Sequence, residues 1–348
     1  MKFQVHKNEL LVAVNNLTKL TATQNQINVY KNIQFDVVDN TTLKMSASNG
    51  NNTLVYYVNV LLAEGESILI NAKDFLSVIN KLDGLIEFDN GKITCGKSVL
   101  KLPYIKEKFL KDIEIDKAEA VKFDIADFKK AVKNRLYAAS DENYNNILSC
   151  LCLQDNEIVA TNGNVLTIGA IAYNKEQLLL DKLFISNIVS CMDADFNLIT
   201  QKNQIIAFNE KCIVMTMQKN GQYPKYKQLI PHYEKSFSVD KQRFINVLEL
   251  LQVILTDKSR IIILEADNNT LSVSVEGEEK QGKSIIDIDY DYYEPLKIAF
   301  NVDLLLNCCK NVSDDTLIIE FNQALSPTVI KGESDFNIIM PIQMRNIS

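Results

Sequence analysis

The chain has 348 residues, 47% of them hydrophobic and 23% charged, a globular composition with length for two or three domains, which excludes a disordered or collagen-like chain. Its net charge of −7 argues against a surface that grips nucleic acid everywhere, while one basic concave face on an acidic body stays open. With two histidines, His6 and His232, and no tryptophan, the chain is poor in the commonest acid–base residue, and both histidines read as surface or linker positions. No apolar run reaches the roughly 18 residues that cross a bilayer, and the polar start MKFQVHKNEL predicts no secretory signal. Seven cysteines without framework spacing read as reduced, mostly buried thiols in a cytoplasmic protein.

In chain order, the first element is a strand end, Phe3-Gln-Val5, running into the helical pattern HKNELLVAVNNL. The junction ILINAKDFLSVI follows around Ile70, and LIEFDNGKITCGKSVLKLPY then alternates as half-buried antiparallel strands do. The first junction returns as Phe123-Asp-Ile125, with a helix predicted over 126–138 on the stripe Phe128, Ala131, Val132, Leu136. It returns again as Phe237-Ser-Val239, with Phe244, Leu248, Leu251 and Leu255 at helical spacing. The second junction recurs at Ile185 and Phe300, at equal intervals of 115 residues, each followed by an N-cap type of residue: Asn71, Ser186, Asn301. The pattern is a threefold repeat of about 116 residues, bounded as 1–118, 119–232 and 233–348. The predicted fold class is α+β, each repeat laying two helices on antiparallel sheet.

Catalytic signatures are missing: there is no GxxxxGK[ST], GxGxxG, HExxH or GxSxG. Cys150-x-Cys152 places two thiols on one face of an apolar strand, a buried pair rather than a metal site. The sharpest alternative is Asp287, Asp289 and Asp291 in IIDIDYDYYE, three carboxylates that alternation would set on one strand face as a divalent-cation site for a nuclease or phosphatase. The plainer reading makes them a solvent-facing strand side, with Ile286 and Ile288 pointing inward. A third reading is a repeat protein that binds only other proteins.

The start MKFQVHKNELL, the segment ATNGNVLTIGA (160–170), GQYPKYKQLIP (221–231), IAFNVDLLLNCC (298–309) and NIIMPIQMR (337–345) together resemble the bacterial DNA polymerase III β subunit, the replicative sliding clamp. The resemblance runs the length of the chain. It implies a head-to-tail homodimer of two three-domain chains, closed into a ring with helices lining the hole and strands outside. Such a ring encircles duplex DNA without sequence preference and tethers the polymerase. It is a non-catalytic subunit of the holoenzyme, needing no cofactor or metal.

The resemblance also implies a pocket for short peptides of polymerases and clamp-loader subunits. Its matching positions are Leu148, Thr161, Gly163 and Leu166 in the central repeat, with Pro224 and Leu229 beyond it. Ile338, Ile339, Met340, Pro341 and Ile342 complete it. The rim departs from the family pattern: Asn164-Val165 stands where His-Arg is usual, Gln228 where a basic residue is common, and Asn346-Ile347-Ser348 extends the tail. DNA-facing positions implied by similarity are Lys73, Asn146 and Gln24, the last where relatives often carry arginine. The helical pattern adds Lys130 and Lys133, with Asn134, Lys81, Lys241 and Arg243 nearby. For the ring interface, alternation singles out 99–102 and 271–275 as edge strands.

Overall fold

The computed structural model describes residues 1–21, 27–141, 147–256, 260–276, 280–290 and 292–343. Six helices run α1 (Lys7–Thr21), α2 (Ala72–Lys81), α3 (Ile125–Lys133), α4 (Lys182–Cys191), α5 (Lys241–Gln252) and α6 (Val302–Lys310). The chain divides into two compact units, 1–129 with 182–220 and 130–181 with 221–348.

The first unit holds a five-stranded sheet ordered Leu62–Glu64, Lys2–His6, Leu85–Asp89, Lys92–Cys95, Ser98–Lys101. It also holds an eight-stranded sheet ordered Val121–Phe123, Phe196–Gln201, Gln204–Phe208, Cys212–Met217, Asn52–Asn59, Thr42–Ser48, Asn32–Asp39, Ile68–Asn71. The second unit repeats the plan. Its eight-stranded sheet runs Leu178–Asp181, Cys150–Gln154, Glu157–Thr161, Val165–Ala170, Phe336–Ile339, Thr328–Lys331, Thr316–Phe321, Lys235–Asp240. Its four-stranded sheet runs Gly282–Asp287, Thr270–Val275, Ile261–Asp267, Leu296–Asn301. Each eight-stranded sheet joins strands of two successive sequence repeats, so the compact units cut the chain differently from the repeats.

The recurring phenylalanine fixes each repeat's entry strand. Phe3 lies opposite Phe88 with rings stacked 4.8 Å apart, Phe123 opposite Phe196 at 5.4 Å, and Phe237 against Phe321 at 5.9 Å. All six rings are buried, and such pairs add to their area burial. Asn71 and Asn301 cap α2 and α6 through side-chain oxygens that accept two backbone N–H groups each, removing orphan donors of the first turn.

The middle copy corrects the sequence reading. Ser186 lies inside α4, which begins four residues earlier, directly after Asp181 at the end of its strand. Hydrophobic spacing alone placed that junction one turn too late. Helix α3 ends at Lys133 rather than 138; the chain passes through Arg135 at φ −126°, ψ −18°, and closes with a 3₁₀ turn, Leu136–Ala138. The segment Leu271–Val275 is an interior strand paired on both sides, and the sheet edge is Gly282–Asp287. Alternation reports which face is buried and is silent about edges. Ser98–Lys101, by contrast, is an edge, with all four residues exposed.

All seven cysteines are free and buried. Burial pushes the thiols of Cys191 and Cys309 up, and those of Cys152, Cys212 and Cys308 each to about 12, which leaves these five unreactive.

Candidate partner-binding site and helix faces

Within the second unit, the 160s loop, the 220s segment and the C-terminal strand come together. Thr161 organises the loop. Its hydroxyl donates to the Val165 carbonyl at 2.7 Å and accepts from the Gly163 N–H at 3.1 Å. Asn162 Oδ1 accepts from the N–H groups of Asn164 and Val165, each at 3.0 Å. Gly163 sits at φ +89°, a left-handed conformation that side chains disfavour. Val165 and Leu166 pair with Ile339 and Ile338 across the sheet. The strand continues as Met340, whose N–H donates to the Asn164 carbonyl at 2.8 Å, and the Ile342 N–H reaches the Ala299 carbonyl at 2.8 Å.

The floor is an apolar cluster in which Leu166 and Ile338 pack with Val159, Leu179, Tyr223 and Tyr226, with Ile147 and Ile230 against them. Next in sequence to Ile230 and Ile339 are exposed apolar groups, Leu229 at 60% and Met340 at 41% exposure. Pro224, Gln228, Gly163 and Asn164 are exposed beside them, while Leu148, Pro341 and Ile342 are half-buried. Val165, Ile339 and Thr161 are buried and shape the wall. A buried apolar floor with an exposed Leu and Met rim suits an apolar peptide side chain, each burial contributing about 1.5–3 kcal/mol.

Two tyrosines missed in the sequence hold the 220s segment down. Tyr223 Oη accepts from the Thr161 N–H at 3.0 Å. Tyr226 bonds the Glu157 carboxylate, and burial, then Glu157, raises its hydroxyl pKa. Lys227 is drawn to Asp155 at 3.0 Å and Glu157 at 3.5 Å. Their sequence signal was the pair of aromatics flanking Pro224 in GQYPKY.

Lys73, Lys130 and Lys133 are exposed on their helices, whereas Lys241 donates to the Val312 carbonyl at 2.6 Å and Arg243 lies 3.6 Å from Asp287. Gln24, Asn146 and the tail extension at 346–348 lie outside the described residues. The six helices carry eleven Lys and Arg against five Asp and Glu, a net +6 within a chain of net −7. Asp287 and Asp289 are exposed and alternate with buried Ile286 and Ile288; Asp291 lies outside the described residues. Among the described residues no group of three metal-ligating side chains occurs, and the comparisons give the hydrolase reading no support.

The family description "DNA polymerase III beta subunit, N-terminal domain" matches residues 1–108, and its C-terminal domain counterpart matches residues 227–345. The chain belongs to the DNA polymerase III β-subunit family. The beta sliding clamp of Streptococcus pneumoniae is 23% identical over 381 aligned positions, covering 98% of this chain and 99% of that protein. That of Synechococcus elongatus is 33% identical over 134 residues, 36% of each chain. The crystal structure of the DNA polymerase sliding clamp of Bacillus subtilis superposes with a TM-score of 0.91 at 17% identity, covering 99% of this chain and all of that one. The β subunit of Streptococcus pyogenes gives 0.90 at 19%, with the same coverage. The fold is that of the sliding clamps of this β-subunit family. Among the described residues no helix is long and apolar enough to cross a membrane.

Proposed function

We propose that this chain is the processivity factor of a bacterial replicase: a non-catalytic, cytoplasmic subunit that closes with a second copy around duplex DNA, slides, and tethers the polymerase. The observation that carries it, beside family membership, is the charge separation between helices of net +6 and a chain of net −7. A ring lined by such helices meets phosphates weakly and reads no bases, so topology rather than grip retains it. Lys73, Lys130 and Lys133 are assigned to that lining. The three repeats 1–118, 119–232 and 233–348 are the domains, six around the ring.

The second copy is assigned to two unpaired sheet edges, which need partners. Ser98–Lys101 presents Val99 at 60% and Leu100 at 38% exposure; Gly282–Asp287 presents Ile285 at 58%. Helix α5 adds Leu250 at 63%, and Val253 just past it is 79% exposed. A head-to-tail pairing of these edges buries both.

The apolar surface of Leu166, Leu229, Ile338 and Met340 is assigned to peptides of polymerase and clamp-loader subunits. The decisive experiment loads the protein onto circular DNA with its loader and then linearises the circle. A ring runs off the new ends; retention on linear DNA, or a monomer in sedimentation at micromolar concentration, overturns the reading.

A further inference from the structure

The buried polar groups of the second unit converge on one strand. Arg135 follows the last turn of α3, and its side chain is only 5% exposed. Nη1 donates to the Ala131 carbonyl at 2.9 Å, and Nη2 donates to Asp335 Oδ1 at 2.9 Å. The other Asp335 oxygen accepts from the Ser313 N–H at 2.8 Å. Burial works against the Asp335 charge, yet the Ser313 bonds and the guanidinium hold its carboxyl below the usual range. Two residues further along each segment, Tyr137 Oη donates to Asn337 Oδ1 at 2.9 Å, and Asn337 is 1% exposed. Asn337 Nδ2 in turn donates to the Ile330 carbonyl at 3.2 Å.

Residues 135 and 137 thus grip residues 335 and 337, 200 positions away, as two rungs. The gripped strand, Phe336–Ile339, is the one that pairs Ile338 with Leu166 and Ile339 with Val165. Its hydrophobic alternation does not by itself fix that register. Ile338 and Ile339 are both buried, so a slip of one residue exchanges one isoleucine for the other and reverses every side chain. The rungs do fix it, because a slipped strand leaves a buried guanidinium facing no carboxylate. The passage beneath the partner strand is equally specific: a Cβ on Gly169 would stand 1.7 Å from Arg135 Nη2.

We propose that Arg135 and Asp335 are positioning residues for peptide capture, setting the register of the strand whose Ile338 and Met340 wall the partner site. The inference rests on that site's assignment. Buried ionic pairs are most readily explained as registry devices, since apolar replacements of both partners often match them in stability.

The test uses the full-length protein and a fluorescein-labelled peptide from the clamp-binding segment of the host replicative polymerase. The double variant R135M/D335L keeps its thermal midpoint within a few degrees and binds the peptide at least tenfold more weakly. Asp335→Asn provides the same reading should the double variant not fold: it binds at least fivefold more weakly, and the amides of Ile338 and Ile339 exchange faster while those of Lys235–Asp240 keep their rates. Wild-type affinity in a folded double variant, or in Asp335→Asn, overturns the positioning role. Leu229→Ala and Met340→Ala separate the two assignments. If they leave affinity unchanged, the site itself fails and the inference with it; if they weaken binding while the Arg135 and Asp335 variants do not, only the positioning role falls.

Discussion

Two linkers cross two eight-stranded sheets of the same design, and the side chains they leave at the surface differ. In the first unit the segment 105–120 is sealed onto its sheet. Gln34, fully buried, accepts from the N–H groups of Phe109 and Leu110 at 2.9 and 2.8 Å and donates to the Leu110 carbonyl at 3.1 Å. Gln201 Nε2 donates to the Glu114 carbonyl at 2.6 Å and its Oε1 accepts from the Asp116 N–H at 3.1 Å. Ile113 and Ile115 cover the cluster around Ile206 and Ile213. The space left is a cavity of about 280 Å³ lined by Lys44, Lys111, Asp112, Glu114 and Lys202 among others, an unwelcoming place for an apolar peptide. In the second unit the segment 221–234 is read by amides as well: Gln177 Nε2 donates to the Gly221 carbonyl and its Oε1 accepts from the Tyr223 N–H, each at 3.0 Å, while Asn322 Nδ2 donates to the His232 carbonyl at 2.8 Å and its Oδ1 accepts from the Glu234 N–H at 3.0 Å. Tyr223 and Tyr226 add buried rings, and Leu229 in the same segment is exposed. Backbone-reading amides hold both linkers, so what separates the two is the side chains they leave at the surface, charged beside the first and apolar in the second.

The junctions also differ in where their charges sit, and that difference is open to measurement. The largest effect falls on the buried pair. Arg135→Met alone strands the Asp335 carboxylate and costs about 3–5 kcal/mol, whereas the double apolar replacement returns to within about 1 kcal/mol of wild type; urea unfolding of the two variants measures the gap. Next, Gln34→Ala removes three linker bonds and costs about 2 kcal/mol, and limited proteolysis should show earlier cleavage within 105–120. The smallest effect is at Asp112, whose side chain is 70% exposed between Lys44 and Lys108. The Lys108 bond, then that of Lys44, holds its carboxyl at about 2, below the ordinary 3.8. A depressed carboxylate stabilises above its unfolded pKa, so this contribution is complete above about pH 4 and is lost as pH falls toward 2. Asp112→Asn therefore costs under about 1 kcal/mol at pH 7 and narrows the stability difference between pH 7 and pH 3, read from urea titrations at both.

Much of the architecture was legible because it is local and repeated. Phe3, Phe123 and Phe237 recur at the same point of each repeat, and Asn71 and Asn301 cap their helices through bonds spanning two or three residues in sequence. What stayed hidden depends on distant partners. Helix α3 stops early because Arg135 turns toward an aspartate 200 residues on, and nothing near it in sequence announces that. Edge and interior strands share one alternation, so 99–102, most of which falls in the edge strand Ser98–Lys101, was read as an edge correctly and Leu271–Val275 was not. The proposed partner site was suggested only by the family resemblance. Its apolar floor is ordinary core in composition, and the anchoring roles of Tyr223 and Tyr226 emerge only when Thr161 and Glu157 are seen beside them.

Gly169 and Arg135 share one space. A Cβ at position 169 would stand 1.7 Å from Arg135 Nη2, so any side chain there displaces the guanidinium from the Asp335 carboxylate it now bonds. The cost of filling position 169 is therefore the cost of breaking that pair, and alanine there will be tolerated in the R135M/D335L background and will break the present pairing in the natural one.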